Sequence, residues 1–183
     1  FYNGCQSRSR IDLALSVSSR ASSGVLRTTV KTDRKAEYDV DQRIIVTTPV
    51  LLSLAFFGLF GVAQSMVDAP LTQGQPAFLA IVGVFGPLAA IGLIWARNYA
   101  YGAPALVAST VATAWFVTYF FFIHDNPANV FAVTGDATTA YLASTAGLVV
   151  ALLFTAVGGC WLWYRESPGF RSMVDRLAGP SDI

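Results

Sequence analysis

The residues best suited to chemistry lie close together in one short segment. His124, Asp125 and Asn126 are adjacent, and Asp136 follows shortly after them. Imidazole and carboxylate groups bind divalent cations, and the same groups can act as general acids and bases. The segment is therefore a candidate site for a metal ion or a small ligand. Its spacing matches no recognisable catalytic motif, so we assign no catalytic residue and leave the metal unknown.

The same segment also has a structural interpretation, which is the more economical one. Asn126 is a good N-cap, Pro127 suits the first position of a helix, and Gly135 suits the residue that ends one. This pattern predicts a short interfacial helix between Asn126 and Gly135, with apolar side chains that dip into the bilayer. On this interpretation the polar residues shape a helix and bind no ligand.

The elements that must position this segment are long and apolar. Hydrophobic residues make up 54% of the chain and charged residues 13%, about half of the ~25% that is usual in soluble domains. Residues 44–96 and 98–124 contain one charged side chain, Asp68. Apolar runs of this length predict helices that span a membrane.

We predict an all-α fold, a four-helix transmembrane bundle within residues 44–164. Each expected span covers ~30 Å or more, which is enough to cross the hydrocarbon core. Gly86 and Pro87 lie in the middle of the second span, where proline removes a backbone hydrogen bond, so the second helix should be kinked. The predicted spans are residues 44–66, 77–96, 103–123 and 139–164.

The positive charges predict how the bundle is oriented. Short loops rich in Lys and Arg stay on the cytoplasmic side of a membrane. Eight basic residues precede the first span, Arg97 lies between the second and third, and three arginines follow the fourth, whereas the loops at 67–76 and 124–138 contain none. Both termini should therefore be cytoplasmic. We expect a multi-pass protein of the plasma membrane.

Two polar segments flank the predicted bundle. Residues 1–43 are rich in Ser and Arg and then mixed in charge, which predicts a disordered, basic N-terminal segment. Residues 1–31 also have the composition of a transit peptide, and upstream sequence translated from a wrongly assigned start would look the same. Residues 165–183 are expected to be a short cytoplasmic tail. The basic residues should meet anionic lipid head groups and not nucleic acid.

Small residues in the fourth span predict a face for helix packing. Lipid tails are as apolar as Leu, so membrane helices associate where small side chains let their backbones approach. In the third span, Ala105, Ser109 and Thr113 form a comparable face, which should make a tight antiparallel contact with the fourth span. The small residues of the fourth span recur at every fourth position, at Ala143, Gly147, Ala151, Thr155 and Gly159.

Several function classes are disfavoured by what the spans lack. Proton relays, voltage sensors and ion-coupled transporters depend on ionisable residues at membrane depth, and the predicted spans contain no Asp, Glu, Lys, Arg or internal His. A haem held by two histidines needs a second histidine, and the chain has one. We therefore predict no cofactor.

The region from Arg97 to Asp136, and above all the run Tyr-Phe-Phe-Phe-Ile-His-Asp-Asn-Pro-Ala-Asn at 119–129, resembles small four-span membrane proteins of halophilic archaea. That group is itself uncharacterised, so the resemblance implies a fold and no mechanism. Acidic loops without basic residues would be compatible with a high-salt exterior.

Three hypotheses for function follow. The leading one is a non-enzymatic subunit, scaffold or assembly partner of a membrane complex, whose partners are the lipid bilayer and other membrane chains or a second copy. The alternative is a passive channel or facilitator, a homo-oligomer lined by the hydroxyl groups of the first and third spans, although such groups more often bond to carbonyls of their own helix. A second alternative is an enzyme at the membrane interface, or a metal- or ligand-binding protein, that uses the His124 cluster.

Overall fold

The computed structural model describes residues 41–67, 69–72, 74–177 and 179. This part of the chain is helical and contains no strand. The helices are numbered α1 to α5 along the chain, and the last of them, α5 (Pro168–Leu177), is the shortest. The predicted all-α, four-helix bundle is confirmed, whereas residues 1–40 of the predicted N-terminal segment lie outside the described residues. The four helices long and apolar enough to cross a membrane are α1 (Asp41–Met66), α2 (Gln75–Trp95), α3 (Tyr99–Ile123) and α4 (Thr138–Glu166).

Helix α1 extends into the segment that we predicted to be disordered. Asp41, Gln42 and Arg43 are helical. With its amide nitrogen toward Glu166 and its oxygen toward Arg165, Gln42 bonds to both side chains at 3.2 Å. These partners at the end of α4 satisfy a buried amide, so helix formation continues beyond the hydrophobic stretch that the sequence marks.

Polar contacts bring the beginning of α1, the end of α2, the beginning of α3 and the end of α4 to the same end of the bundle. Arg43 Nε donates to the Tyr99 hydroxyl at 3.2 Å, and Trp95 Nε1 donates to Thr47 Oγ1 at 3.2 Å. Because the four helices alternate in direction, segment 124–137 lies at the opposite end. We call the end with Arg43, Trp95, Tyr99 and Arg165 the basic end, and the end with segment 124–137 the capped end.

The buried side chains form two clusters along the bundle. At the capped end, Phe60 of α1 packs edge to face on Phe121 of α3 with 5.1 Å between ring centroids, and it stacks on Tyr141 of α4 at 5.8 Å. Aromatic rings in these arrangements attract one another beyond the area that they bury. Aliphatic side chains from all four helices fill the cluster at the basic end: Val46, Val50, Ala90, Ile94, Ala103, Leu106 and Leu162.

Helix α2 departs from α-helical geometry where the sequence predicts a kink. Leu79–Phe85 is π-helical, and the amide of Gly86 bonds to the carbonyl of Ile81, five residues earlier. Pro87 follows directly and has no amide hydrogen to donate. A wider turn accommodates the missing donor, and such π-helical stretches are a known cause of helix kinks.

Candidate functional site

Helix α3 ends in a π-helical turn that places His124 at the capped end. The turn covers Tyr119–Ile123, and the amide of His124 bonds to the carbonyl of Tyr119 at 2.7 Å. The imidazole is exposed and stacks on the Tyr119 ring, with 5.5 Å between centroids and 20° between planes. The ring thus rests on the end of its own helix. Nothing in the sequence signals this π-helical turn.

Asn126 uses its side chain to shape the backbone. Its amide nitrogen donates to the carbonyl of Phe120 at 2.5 Å, and its amide oxygen accepts a hydrogen bond from the backbone N–H of Ala128 at 2.8 Å. The second bond closes an Asx turn, a local structure that Asn forms readily. With donor and acceptor both occupied, the Asn126 side chain has little capacity left for a ligand.

Asn129, which is not among the predicted ligand residues, repeats the same arrangement. Its amide nitrogen donates to the carbonyl of His124 at 2.9 Å, and its amide oxygen accepts from the N–H of Phe131 at 2.9 Å. The spacing of two asparagines around Pro127 was the available signal, because Asn and Pro together favour successive turns.

The predicted interfacial helix between Asn126 and Gly135 is wrong, because these residues form turns. The two Asx turns compete with helical hydrogen bonds for the same backbone groups. Val130 is 2% exposed, and its N–H bonds to the carbonyl of Phe121. The hydroxyl of Tyr141 donates to the carbonyl of Ala128 at 2.8 Å. The segment therefore folds over the end of the bundle as a closed cap.

Gly135 serves the beginning of α4 and not the end of a preceding helix. Its φ of +132° lies in a region that side chains other than hydrogen rarely allow. Its carbonyl accepts hydrogen bonds from both the N–H and the hydroxyl of Thr138, at 3.2 and 2.8 Å. The glycine thus turns the chain into the first residue of α4.

The remaining members of the His124 cluster are solvent-facing. His124, Asp125 and Asp136 are all exposed. Within the described residues no three His, Cys, Asp or Glu side chains are arranged to hold a metal ion. The side-chain amides of Asn126 and Asn129 donate to the backbone carbonyl of His124, whereas the imidazole of His124 takes no part in these hydrogen bonds. The geometry thus provides a folded cap, with no enclosed space around the ionisable groups.

Three of the five small residues of α4, Gly147, Thr155 and Gly159, contact α1 or α3. A Cβ atom on Gly147 would collide with the ring of Phe56 in α1, and one on Gly159 would lie 2.9 Å from Val107 Cγ2 in α3. The hydroxyl oxygens of Thr155 and Ser53 lie 2.9 Å apart and share a hydrogen bond between α4 and α1. Of the other two positions, Ala151 is buried and Ala143 is exposed.

Ser109 and Thr113 of the small face of α3 lie close to glycines of α2. The close approach of α3 to α4 that we predicted is made at Gly159, where an added Cβ would lie 2.9 Å from Val107 Cγ2 and 3.5 Å from Leu106 Cδ2. A Cβ on Gly86 would lie 2.8 Å from Ser109 Cβ, and one on Gly83 would lie 3.1 Å from Thr113 Cγ2. Ala105 is exposed. Small residues mark where helices approach closely, but they do not specify which neighbour approaches, since α2 and α4 both offer glycines.

Six of the hydroxyl groups proposed as channel lining donate to carbonyl groups of their own helices. Ser53 donates to the carbonyl of Pro49 at 2.9 Å, and Thr113 donates to that of Ser109 at 2.7 Å. In the described part of the chain, no buried side-chain nitrogen or oxygen lacks a hydrogen-bond partner. The same bond to a carbonyl three or four residues earlier is made by Thr47, Thr48, Ser109 and Thr110.

Two glycines of α1 differ from those that pack inside the bundle. Gly58 and Gly61 are exposed, and a Cβ atom on either would meet no atom within 4 Å. Ala55 and Ser65 are also exposed and extend this strip of small residues along the helix. We call these four residues the open face of α1. In contrast, Gly83, Gly86, Gly102, Gly147 and Gly159 each have a neighbour within about 3 Å of an added Cβ atom.

No protein-family model matches the chain, and neither a curated protein nor a solved structure matches it. Inferences about function therefore rest on the chain's own residues. Four helices of sufficient length and hydropathy give it the architecture of a multi-pass integral membrane protein.

Proposed function

We propose that this chain is a non-enzymatic subunit or assembly partner of a membrane complex, and that the open face of α1 receives a helix from another chain. The observation that carries the proposal is the contrast between Gly58 and Gly61 and the glycines that fill contacts inside the bundle. Glycine within a helix costs about 1 kcal/mol relative to alanine. A partner helix in close contact would offset that cost, because a backbone can approach most closely where no Cβ intervenes.

The sidedness of the assembly follows from the charges. Arg43, Arg97 and Arg165 belong to the basic end of the bundle, and the loops at the capped end contain no basic residue. Under the positive-inside rule, the basic end and both termini would face the cytoplasm. We also propose the plasma membrane as the location of the protein. The partner helix would then run alongside α1 through the bilayer.

The interior gives no support to the alternative functions. Hydroxyl groups of Thr47, Thr110 and Thr113 bond to carbonyls of their own helices, which is the commoner structural role of such groups. The ionisable groups of the His124 cluster are exposed and form no group that could hold a metal. What remains available for function is the outer surface, which includes the open face of α1.

The proposal is tested by changing the open face without changing the bundle. We would replace Gly58 and Gly61 by leucine, extract the full chain gently in native lipid, and identify the chains that accompany it. The matched control is Gly92→Leu in α2, where an added Cβ also meets no atom within 4 Å. We expect the wild type and the control to retain a defined companion, either a second copy or another membrane protein. The double variant should lose it by about ten-fold, equivalent to 1.4 kcal/mol.

Two results would contradict the proposal. One is a wild-type chain that is monomeric in mild detergent and in lipid, with no companion recovered by gentle crosslinking. The other is a double variant that keeps the companion at the wild-type level. Unfolding of each variant by SDS titration in mixed micelles separates loss of the partner from loss of the fold. Gly147→Leu marks the fold-breaking limit, because a side chain there would collide with Phe56.

A further inference from the structure

The segment after the last span forms an amphipathic helix that packs little of its apolar face against the bundle. Helix α4 ends at Glu166. Ser167 follows it, and helix α5 begins at Pro168. Apolar side chains lie three, four and seven residues after Phe170, a spacing that places all of them on one face of the helix. Met173 and Leu177 are 53% and 78% exposed. The apolar face consists of Phe170, Met173, Val174 and Leu177, and the other side carries Arg171, Ser172, Asp175 and Arg176.

Contacts to the end of α4 hold α5 in place. The ring of Phe170 stacks on Trp163, with 4.1 Å between centroids and 4° between planes. Arg171 Nη2 donates to the carbonyl of Arg165 at 2.8 Å and so satisfies a carbonyl in the last turn of α4, which has no donor within the helix. The hydroxyl of Tyr164 donates to Asp175 at 3.1 Å. Helix α5 therefore stays next to the point where α4 ends.

The aromatic residues at the end of α4 are typical of a helix end at the level of the lipid head groups. Trp and Tyr side chains concentrate at the two membrane–water interfaces, and Trp161, Trp163 and Tyr164 occupy the last turns of α4. The guanidinium of Arg165 lies 5.5 Å from the centroid of the Trp161 ring, an arrangement in which the cation is attracted to the ring face. A helix attached at this level has the membrane surface beside it.

We infer that α5 lies in the plane of the membrane surface, with Phe170, Met173, Val174 and Leu177 at the boundary of the acyl chains and with Arg171 and Arg176 bound to anionic phospholipid head groups. Short helices with a distinct apolar face and basic residues on the polar face bind lipid in this way. The charge of the surrounding surface is complementary, because Arg43, Arg97 and Arg165 belong to the same end of the bundle. The inference concerns α5 alone and does not depend on the open face of α1.

The test places one environment-sensitive fluorophore on either side of α5 in the full-length protein. The label is attached to a single cysteine, introduced by Met173→Cys in one protein and by Ser172→Cys in the other. Both proteins also carry Cys5→Ser and Cys160→Ser. Residues 172 and 173 are adjacent in sequence but lie on different faces of α5. Each protein is reconstituted in vesicles of phosphatidylcholine, with or without phosphatidylglycerol. Quenching is measured with aqueous acrylamide and with nitroxide-labelled phospholipid.

We expect the label at 173 to be quenched by the nitroxide lipid and protected from acrylamide, with the label at 172 showing the opposite behaviour. Phosphatidylglycerol should strengthen the protection at 173. Arg176→Gln should reduce the ratio of membrane-bound to solvent-exposed α5 by about five-fold in the anionic vesicles and leave it unchanged in the neutral ones. Arg176 suits this purpose better than Arg171, which also anchors α5 to α4.

Three results would overturn the inference. Equal acrylamide quenching at 172 and 173 in both lipids would mean that α5 does not lie on the membrane. Protection at 173 that does not change with phosphatidylglycerol or with Arg176→Gln would exclude anionic lipid as the ligand. Protection that requires a companion protein in the sample would make α5 a protein-docking helix.

Leu177→Glu, which places a charge on the exposed end of the apolar face, should abolish the nitroxide quenching at 173 without changing unfolding of the bundle.

Discussion

The two ends of the bundle use their polar residues in opposite ways. At the capped end, Asn126, Asn129 and Tyr141 turn toward the backbone and bond to carbonyl and amide groups of segment 124–137 and of α3. At the basic end, Arg43 and Arg165 lie over the rings of Trp95 and Trp161, where a membrane surface would meet the protein. Polar residues clustered in sequence thus serve folding at one end, whereas those dispersed in sequence make the surface at the other.

The physical reason for this difference lies in the backbone. The connection between α2 and α3 at the basic end is short, and side chains there bond to side chains of other helices, as Arg43 does to Tyr99 and Trp95 to Thr47. The cap is irregular, and irregular backbone near a membrane must find partners within the protein. Asn and Tyr side chains supply these partners, so the concentration of polar residues at 124–136 reflects a structural need.

The largest effect is expected where the capped end closes on its aromatic core. Phe60 is 3% exposed and contacts the rings of Phe121 and Tyr141. Phe60→Ala should lower the free energy of unfolding by about 3 kcal/mol through the cavity that it leaves. The measurement is SDS titration in mixed micelles. Phe131→Ala is the control, since Phe131 is 74% exposed on the cap. An equal loss in both variants would mean that the cap does not close on the core.

A second prediction separates the fold of the cap from any chemistry of its histidine. Asn126→Ala removes hydrogen bonds to Phe120 and Ala128 and should lower the free energy of unfolding by about 2 kcal/mol. His124→Ala keeps the backbone carbonyl that accepts from Asn129 and should change stability by less than about 0.5 kcal/mol. Unfolding titrations of both variants test the pair. A reversed order would place the imidazole, and not the asparagines, at the centre of the cap.

Removal of one hydroxyl group should have a smaller effect. Tyr141 is fully buried, and its hydroxyl donates to the carbonyl of Ala128. Tyr141→Phe keeps the ring and leaves that carbonyl without this partner, which should lower the free energy of unfolding by about 1 kcal/mol. Amide hydrogen exchange measured by mass spectrometry should increase in peptides covering 124–137. Unchanged exchange there would show that the hydroxyl does not hold the cap.

The smallest effect is expected at the basic end. Arg97 has a φ of 63°. It follows α2 in a Schellman motif, in which the amide of Arg97 bonds to Ile94 and that of Asn98 bonds to Leu93. Glycine adopts this conformation without the steric cost of a Cβ atom. Arg97→Gly should therefore have a free energy of unfolding about 0.5 kcal/mol higher than that of Arg97→Ala, since both variants lack the arginine side chain and differ in the Cβ atom. Arg97→Ala, which keeps the Cβ atom, is the control.

Much of the architecture follows from composition, because a hydrocarbon environment admits few structures. Long apolar runs without charge have to form helices that satisfy their own backbone, so the number of spans could be predicted. The proline at 87 marked the irregular part of α2. Helix α5 could also have been predicted, since Phe170, Met173, Val174 and Leu177 recur with helical spacing. Considering residues 165–183 only as a tail hid that signal.

The candidate site was less predictable than the helices. His124, Asp125 and Asp136 attracted attention because their side chains can do chemistry, yet the structure leaves all three exposed. The choice between an interfacial helix and two Asx turns depends on contacts with α3 and with Tyr141 of α4, which lie outside the local sequence. Local propensity alone therefore favoured the wrong structure.

The sequence by itself determined that the chain forms four apolar helices, that the basic residues within the described part of the chain belong to one end of the bundle, and where small side chains permit close approach. The tertiary structure alone decided which helices meet at those positions. The apolar side chains of a membrane helix are accommodated equally well by lipid and by another helix, so the hydrophobic pattern does not determine which helices pack together. Shape selects it instead: Gly147 accepts the ring of Phe56, Gly86 accepts Ser109, and Gly58 and Gly61 stay open.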